Sequence, residues 1–159
     1  MITFGEAAEY YRQAADLIEE DLHAVVVAVA ARAAERAQGY IGHLQPEWAP
    51  LSDATIEGFW HPAGFWITGK RELGFEGPDY EPLLRSGQME QSIQPVADGL
   101  TGGVVSDDKV MLFQEMGTPG ARFPIPPRPV LALGLMHSIP DLVEECGQVA
   151  MRALVPTSE

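Results

Sequence analysis

The feature that most constrains the fold is a helical stripe at the start of the chain. Apolar side chains recur in alternating steps of four and three residues, at Phe4, Ala8, Tyr11, Ala15, Ile18, Leu22, Val25 and Val29. This spacing places them on one face of an α-helix. Because glycine often follows the end of a helix, Gly39 bounds a predicted helix over residues 4–38, about 50 Å long. Its middle, AVVVAVAARAA, is apolar nearly all round, so we expect it to be buried in the core or shared between the sheet and a partner chain.

Length and composition limit the remaining possibilities. A chain of 159 residues fits one domain, residues 1–159. The single cysteine, Cys146, excludes an internal disulfide or a cysteine-based zinc site. The first residues do not resemble a signal peptide, and the longest apolar run, Ala24 to Ala31, is far shorter than the roughly 20 residues of a membrane span. We therefore expect a cytosolic protein with no membrane partner.

The net charge of −13 argues against tight binding to nucleic acid, because that binding depends on Lys and Arg that neutralise phosphates. Two interpretations of the charge remain open. It can serve solubility, or it can line a channel wall that lets a polyanion pass without sticking.

The chain from residue 83 onward predicts a small sheet, an arm and a second helix. Strand-like runs at Gln91–Val96, Gly103–Ser106 and Val110–Met116 predict an antiparallel meander within residues 83–116. The turns are placed at Asp98-Gly99, Gly102-Gly103 and Asp107-Asp108. Five prolines then predict an extended arm over residues 117–131. Pro140 starts a predicted helix over residues 140–154, whose apolar face comprises Leu142, Val143, Cys146, Val149, Ala150 and Ala153.

Residues 39–82 are richer in Gly, Pro and aromatic side chains. Ser52 is placed to cap a short helix. Residues 58–82 are predicted to be a long loop, and loops of this length are usually functional or disordered. Its aromatic side chains either order against a partner or pack locally. The fold class is therefore α+β: a long N-terminal helix packed on a small antiparallel sheet, with a C-terminal helix and a long aromatic loop.

No catalytic, cofactor or metal site is predicted. Gly64 to Lys70 matches the GxxxxGK spacing of phosphate loops, but Arg71 stands where Ser or Thr must reach magnesium. The four histidines lie far apart and outside metal-ligand spacings. Ser86 lacks the flanking pattern of a nucleophile elbow. Asp107 and Asp108 are explained by a turn.

Three phrases in the second half of the chain occur in an order that resembles a known family. PLLRSGQMEQSI is followed by GVVSDDKVMLFQEMGT and then by IPPRPVLAL, and all three follow WAPLSDATI. This order resembles the tail-completion or virion-morphogenesis proteins of tailed phages, which include the head-tail neck proteins. The resemblance covers roughly residues 48–135. The aromatic insert at residues 59–75 and the apolar middle of the first helix depart from the family pattern and leave the subtype open.

The resemblance implies a non-enzymatic virion subunit that assembles into a ring, with six copies expected, in the neck or at the end of the tail of a phage, prophage or gene transfer agent. It implies head-closure or adaptor proteins and tail-tube or tail-terminator proteins as neighbours, with DNA only passing through the channel. The sheet edge and the proline arm are natural places for contacts between subunits. Arg122 and Arg128, which flank the prolines, either bind an acidic partner or remain solvated. The residues predicted to form the interface are Trp60, Phe65, Trp66, Phe75, Phe113, Arg122, Phe123 and Arg128.

Two alternatives remain open. One is a small nucleotide- or metal-using enzyme built on the Gly64–Lys70 loop. The other is a cytosolic adaptor that binds one partner through the aromatic loop.

Overall fold

A long N-terminal helix is the element on which the second hairpin and the C-terminal helices pack. The computed structural model describes residues 4–76, 80–121 and 124–154. The helices are α1 (Phe4–Tyr40), α2 (Asp53–Glu57), α3 (Gln88–Gln91), α4 (Lys109–Met116), α5 (Leu131–Met136) and α6 (Ile139–Leu154). The strands are β1 (Gly58–His61), β2 (Phe65–Thr68), β3 (Ile93–Asp98) and β4 (Thr101–Ser106). The predicted α+β class, with its long N-terminal helix and C-terminal helix, is confirmed.

The four strands form two separate antiparallel pairs. In the pair that packs on α1, Ile93 lies opposite Ser106 and Asp98 lies opposite Thr101. Gly99 has a φ of 54°, a left-handed conformation that glycine adopts without strain. At Gly102 an added Cβ would lie 2.7 Å from Val26 Cγ1. The hairpin therefore packs tightly on the middle of α1 because β4 carries no side chain at that point.

The main core lies between the C-terminal half of α1, the β3–β4 pair and α5. Ala33 and Ala37 are completely buried and let the α5 backbone approach, since an added Cβ on Gly134 would lie 2.6 Å from the Ala33 carbonyl. The other buried members of this core are Ala34, Ile41, Trp48, Ile93, Val104, Met111, Val130 and Leu133. Small residues on α1 thus set how closely the other elements pack against it.

A second, smaller apolar cluster joins α1 to α6. Val149 on α6 is buried against Val25 and Val29 on α1. Ion pairs flank this contact, since Asp141 lies 2.8 Å from Arg36 and 3.5 Å from Arg32. The predicted apolar face of the helix is therefore divided. Leu142, Cys146 and Val149 face α1, whereas Val143 and Ala150 are exposed.

Three local predictions are wrong. Residues 110–116 form the helix α4 and not a third strand, because Asp108 caps it, accepting from the Val110 amide at 2.8 Å. The predicted meander is therefore a two-stranded hairpin. Gly102 and Gly103 lie inside β4 and not in a turn.

The predicted loop over residues 58–82 instead contains the β1–β2 hairpin. The short helix capped by Ser52 is confirmed, with the Ser52 hydroxyl accepting from the Thr55 amide at 3.3 Å.

Candidate assembly surfaces

A cluster of four exposed aromatic side chains lies on the β1–β2 hairpin, residues 58–68. Trp60 pairs with Trp66 across the strands, and their rings meet edge to face with centroids 6.0 Å apart. On the opposite face the Phe65 ring stacks on His61 at 4.6 Å. The exposed fractions of Phe59, Trp60, Phe65 and Trp66 lie between 37 and 69%. Both faces of the hairpin therefore present aromatic surface to solvent.

The base of the hairpin is fixed by a close approach of two glycines. A Cβ on Gly69 would lie 2.2 Å from the Gly58 nitrogen and 2.4 Å from the Ile56 carbonyl oxygen. Gly58 itself has a φ of 87°, which disfavours any side chain there. The amides of Lys70 and Arg71 then each donate at 3.0 Å to carbonyls of α2. The aromatic side chains are thus presented on a backbone whose path is set at its base.

Lys70 fastens the segment that follows the hairpin. Its Nζ donates to the Glu81 carbonyl at 2.6 Å and also to the Leu84 carbonyl, and it lies 4.2 Å from the centre of the Phe75 ring. Desolvation by this burial lowers the pKa of Lys70 from its ordinary value. The predicted interface residue Phe75 is half-buried beneath this ammonium group.

The geometry around Lys70 does not resemble a phosphate loop. A phosphate loop needs a strand, a turn of free amides and a following helix, whereas residues 64–70 run along β2 and into a turn. Lys70 is also occupied by main-chain carbonyls. The chance match to GxxxxGK therefore has a structural explanation in the glycine requirements of the hairpin.

A second exposed apolar surface lies on α4. The predicted interface residue Phe113 is about half exposed, and Val110, Leu112 and Met116 are also exposed on this helix. Only Met111 of α4 is buried. Because one side of α4 packs on the core and the other carries large apolar groups, α4 is a second candidate contact surface.

Arg128 was expected to be an exposed charge, and that expectation is wrong. Arg128 is only 6% exposed. Its Nη2 donates to the carbonyls of Ala49 and Pro50 at 3.0 and 3.2 Å, and burial lowers its pKa. Arg128 therefore joins two distant segments of the chain. Arg122 and Phe123 lie outside the described residues.

The proline-rich segment is held against the body of the protein. The Arg128 amide donates to the Gln114 carbonyl at 2.6 Å, and the Thr118 amide donates to the Ile125 carbonyl at 2.9 Å. One oxygen of Glu115 accepts from the amides of Val130, at 2.6 Å, and Leu131. These contacts bring the C-terminal end of the segment back to α4. The described residues on either side of positions 122–123 are therefore joined to each other and to α4 by hydrogen bonds.

The remaining chemical groups are dispersed or engaged. Within residues 4–76, 80–121 and 124–154, no three His, Cys, Asp or Glu side chains are grouped as metal ligands. His23 bonds the Gly99 carbonyl and His137 bonds the Tyr40 hydroxyl. Ser86 lies in the turn before α3, 3.4 Å from the Gln88 amide. Cys146 is partly buried against α1.

A groove over the middle of α1 was not visible in the sequence. Its floor is formed by Val26, Val29 and Ala30, and its walls by the β3–β4 turn and the α5–α6 corner. It has a volume of about 320 Å³. Its lining comes from three segments, within residues 26–30, 100–103 and 135–142, that are separated by 32 positions or more along the chain, so no local pattern indicates that they meet.

None of the helices in the described part of the chain is both long and apolar enough to cross a membrane. Comparison with protein-family models, with curated proteins and with solved structures finds no match for this chain.

Proposed function

We propose that this protein is a non-enzymatic structural subunit of a phage or phage-like particle, in which copies of the chain form a ring that joins or completes the head and tail. The observation that carries the proposal is the aromatic β1–β2 hairpin, held at its base by Gly58 and Gly69. Large aromatic side chains in solvent on a rigid support are typical of sites that are buried by a protein partner.

Three further features support this role. The α4 surface provides a second apolar contact area, as a ring subunit with two neighbours requires. The order of phrases from Trp48 to Leu135 resembles the tail-completion family. The net charge of −13 suits a wall past which DNA moves without binding. Under this proposal the ring has six copies and docks to head-closure or adaptor proteins on one side and to tail-tube or tail-terminator proteins on the other.

Light scattering coupled to size-exclusion chromatography tests the proposal. The mass is measured over a range of concentrations, alone and with neck and tail components added, and in extracts of assembled particles. We expect a closed species with a mass near an integral multiple of 17.3 kDa, six being the expected number. A chain that stays monomeric under all these conditions contradicts the proposal.

Two variants test whether the hairpin causes assembly. Trp60→Ser combined with Phe65→Ser removes aromatic surface from both faces and should abolish the ring while the circular dichroism of the helices is retained. Val96→Ser is the matched control, since Val96 is a similarly exposed apolar residue on β3 and should leave the mass unchanged.

The same hairpin also favours a second candidate, an adaptor that binds one partner protein. An adaptor gives a stoichiometric heterocomplex and no self-assembled ring, so the mass measurement separates the two functions.

A further inference from the structure

We propose that residues 80–84, here called the strap, are a two-state element that Lys70 holds in a strained closed conformation and that opens as a unit when the Lys70 ammonium group is withdrawn. Because Lys70 lies directly after the base of the aromatic hairpin, the strap transmits a displacement of the hairpin to the main core. The strap operates within the isolated chain, so it is independent of the proposed ring.

The backbone of the strap is strained. Tyr80, Glu81 and Leu83 have φ values of 49°, 45° and 65°, and no other described residue except glycine has a positive φ. The left-handed region is costly for residues that carry a Cβ. At Glu81 the cost is greater, because the residue before a proline favours an extended conformation. Three such residues around Pro82 persist only because their surroundings hold them in place.

One ammonium group holds the strap closed. The Nζ atom of Lys70 donates to the Glu81 carbonyl at 2.6 Å and also to the Leu84 carbonyl. The Pro82 carbonyl, which lies between these two, accepts from the Gly42 amide at 2.8 Å. Hydrogen bonds from a charged donor are stronger than those between neutral groups. Loss of the ammonium group therefore removes two strong bonds that oppose the strain.

The position of Lys70 links the strap to both the hairpin and the core. Lys70 follows Gly69, whose missing side chain permits the close approach at the hairpin base, and the Lys70 amide donates to the Thr55 carbonyl at 3.0 Å. At the other end, Leu83 and Leu84 pack against the main core. A movement of the hairpin base therefore displaces the ammonium group, and its release frees the backbone that carries two core side chains. An element with two discrete arrangements is what coupling between distant sites requires.

Hydrogen exchange measured by NMR on the purified chain tests the strap. The amides of Gly42 and Leu84 report its opening, because each donates to a strap carbonyl, and the amide of the buried Ala33 in α1 reports on the core. In Lys70→Met we expect the two reporter amides to exchange at least about tenfold faster, by similar factors, with Ala33 unchanged. Lys109→Met, at an exposed lysine, is the matched control and should leave all three rates unchanged.

A second variant tests the stored strain. Glycine adopts a positive φ without a steric penalty, so Glu81→Gly should stabilise the closed strap and slow the exchange of both reporter amides by about threefold. Glu47→Gly, at an exposed position without a positive φ, should not slow them.

A third variant tests the link to the hairpin. A Cβ at Gly69 meets backbone atoms at the hairpin base, so Gly69→Ala should displace Lys70 and speed the exchange of the reporter amides by about fivefold. Gly120→Ala, with open space around it, should leave them unchanged. Unchanged reporter amides in Gly69→Ala overturn the transmission from hairpin to strap.

Three results overturn the strap itself. One is exchange of the reporter amides in Lys70→Met that is no faster than in Lys109→Met. Another is an increase that extends equally to Ala33, because Lys70 then supports the whole fold. The third is exchange in Glu81→Gly that is no slower than in the unmodified chain, and this variant decides the matter if Lys70→Met does not fold. A strap that opens as expected in a chain that never forms rings refutes the ring alone.

Discussion

The carboxylate of Glu115 gives the sharpest test of how the proline-rich segment is held. One of its oxygens accepts from the amides of Val130 and Leu131 at the start of α5, and Val130 itself has no capping side chain and is completely buried. In Glu115→Ala both amides lose their acceptor. We expect the free energy of unfolding to fall.

The size of the loss follows from the two bonds. An unsatisfied buried donor costs about 1–3 kcal/mol. Most of this cost arises at the Val130 amide, because Val130 is completely buried. Leu131 is only partly buried, so water can replace part of the hydrogen bond that its amide loses. The expected total is about 2–4 kcal/mol, which for a chain of this length lowers Tm by roughly 5–15 °C. Glu115→Gln keeps an acceptor oxygen and should lose only about 1 kcal/mol.

Urea unfolding followed by the fluorescence of Trp48 measures this loss. Trp48 is buried and its Nε1 donates to the Pro129 carbonyl at 3.3 Å, so it reports on the same segment. Replacing Trp60 and Trp66 with Phe leaves Trp48 as the single tryptophan. Glu47→Ala, at an exposed position, is the control and should change stability by less than about 0.5 kcal/mol. If the loss of stability in Glu115→Ala is as small as that in the control, the carboxylate does not hold the start of α5.

Three other predictions concern the hairpin, Lys70 and the contact between α1 and α6. Gly69→Ala should make the hairpin susceptible to limited proteolysis, because its Cβ meets only backbone atoms, whereas Gly120→Ala, with open space around it, should not. The depressed pKa of Lys70 means that the folded state binds this proton less tightly than the unfolded state. Stability relative to Lys70→Met should therefore rise as the pH increases toward the ordinary value of 10.5, and a flat difference in urea midpoint would contradict this. Asp141→Asn removes the partner of two arginines and should cost about 1 kcal/mol at low ionic strength, with a clearly smaller loss in about 1 M salt.

Helices α1 and α2 could be predicted from the sequence, because periodicity and capping are local signals. The stripe from Phe4 to Val29 predicts α1, and Ser52 predicts α2. Residues 110–116 were wrongly predicted because a short apolar run fits a strand as well as a helix. Asp108 was the signal that distinguishes them, since an acidic residue two positions before the run is a typical helix cap.

The aromatic hairpin also had a signal in the sequence. FWHPAGFW contains two aromatic pairs, which favour strands, on either side of a Pro-Ala-Gly turn. Trp60, Phe65 and Trp66 were therefore predicted as exposed aromatics, but not as parts of a sheet. The burial of Arg128 could not be predicted, because it depends on where the carbonyls of Ala49 and Pro50, some 78 positions earlier, lie in the folded chain. The groove has the same origin, since its lining comes from three distant segments.

In mechanical terms the first turns of α1 form a lever arm. Nearly all described side chains between Gly5 and Leu17 are exposed, while Val25 and Val29 are held against Val149 of α6. The rod between Val25 and Gly5 is roughly 30 Å long at 1.5 Å per residue. A tilt of about 10° at Val25 would therefore move its tip by roughly 5 Å.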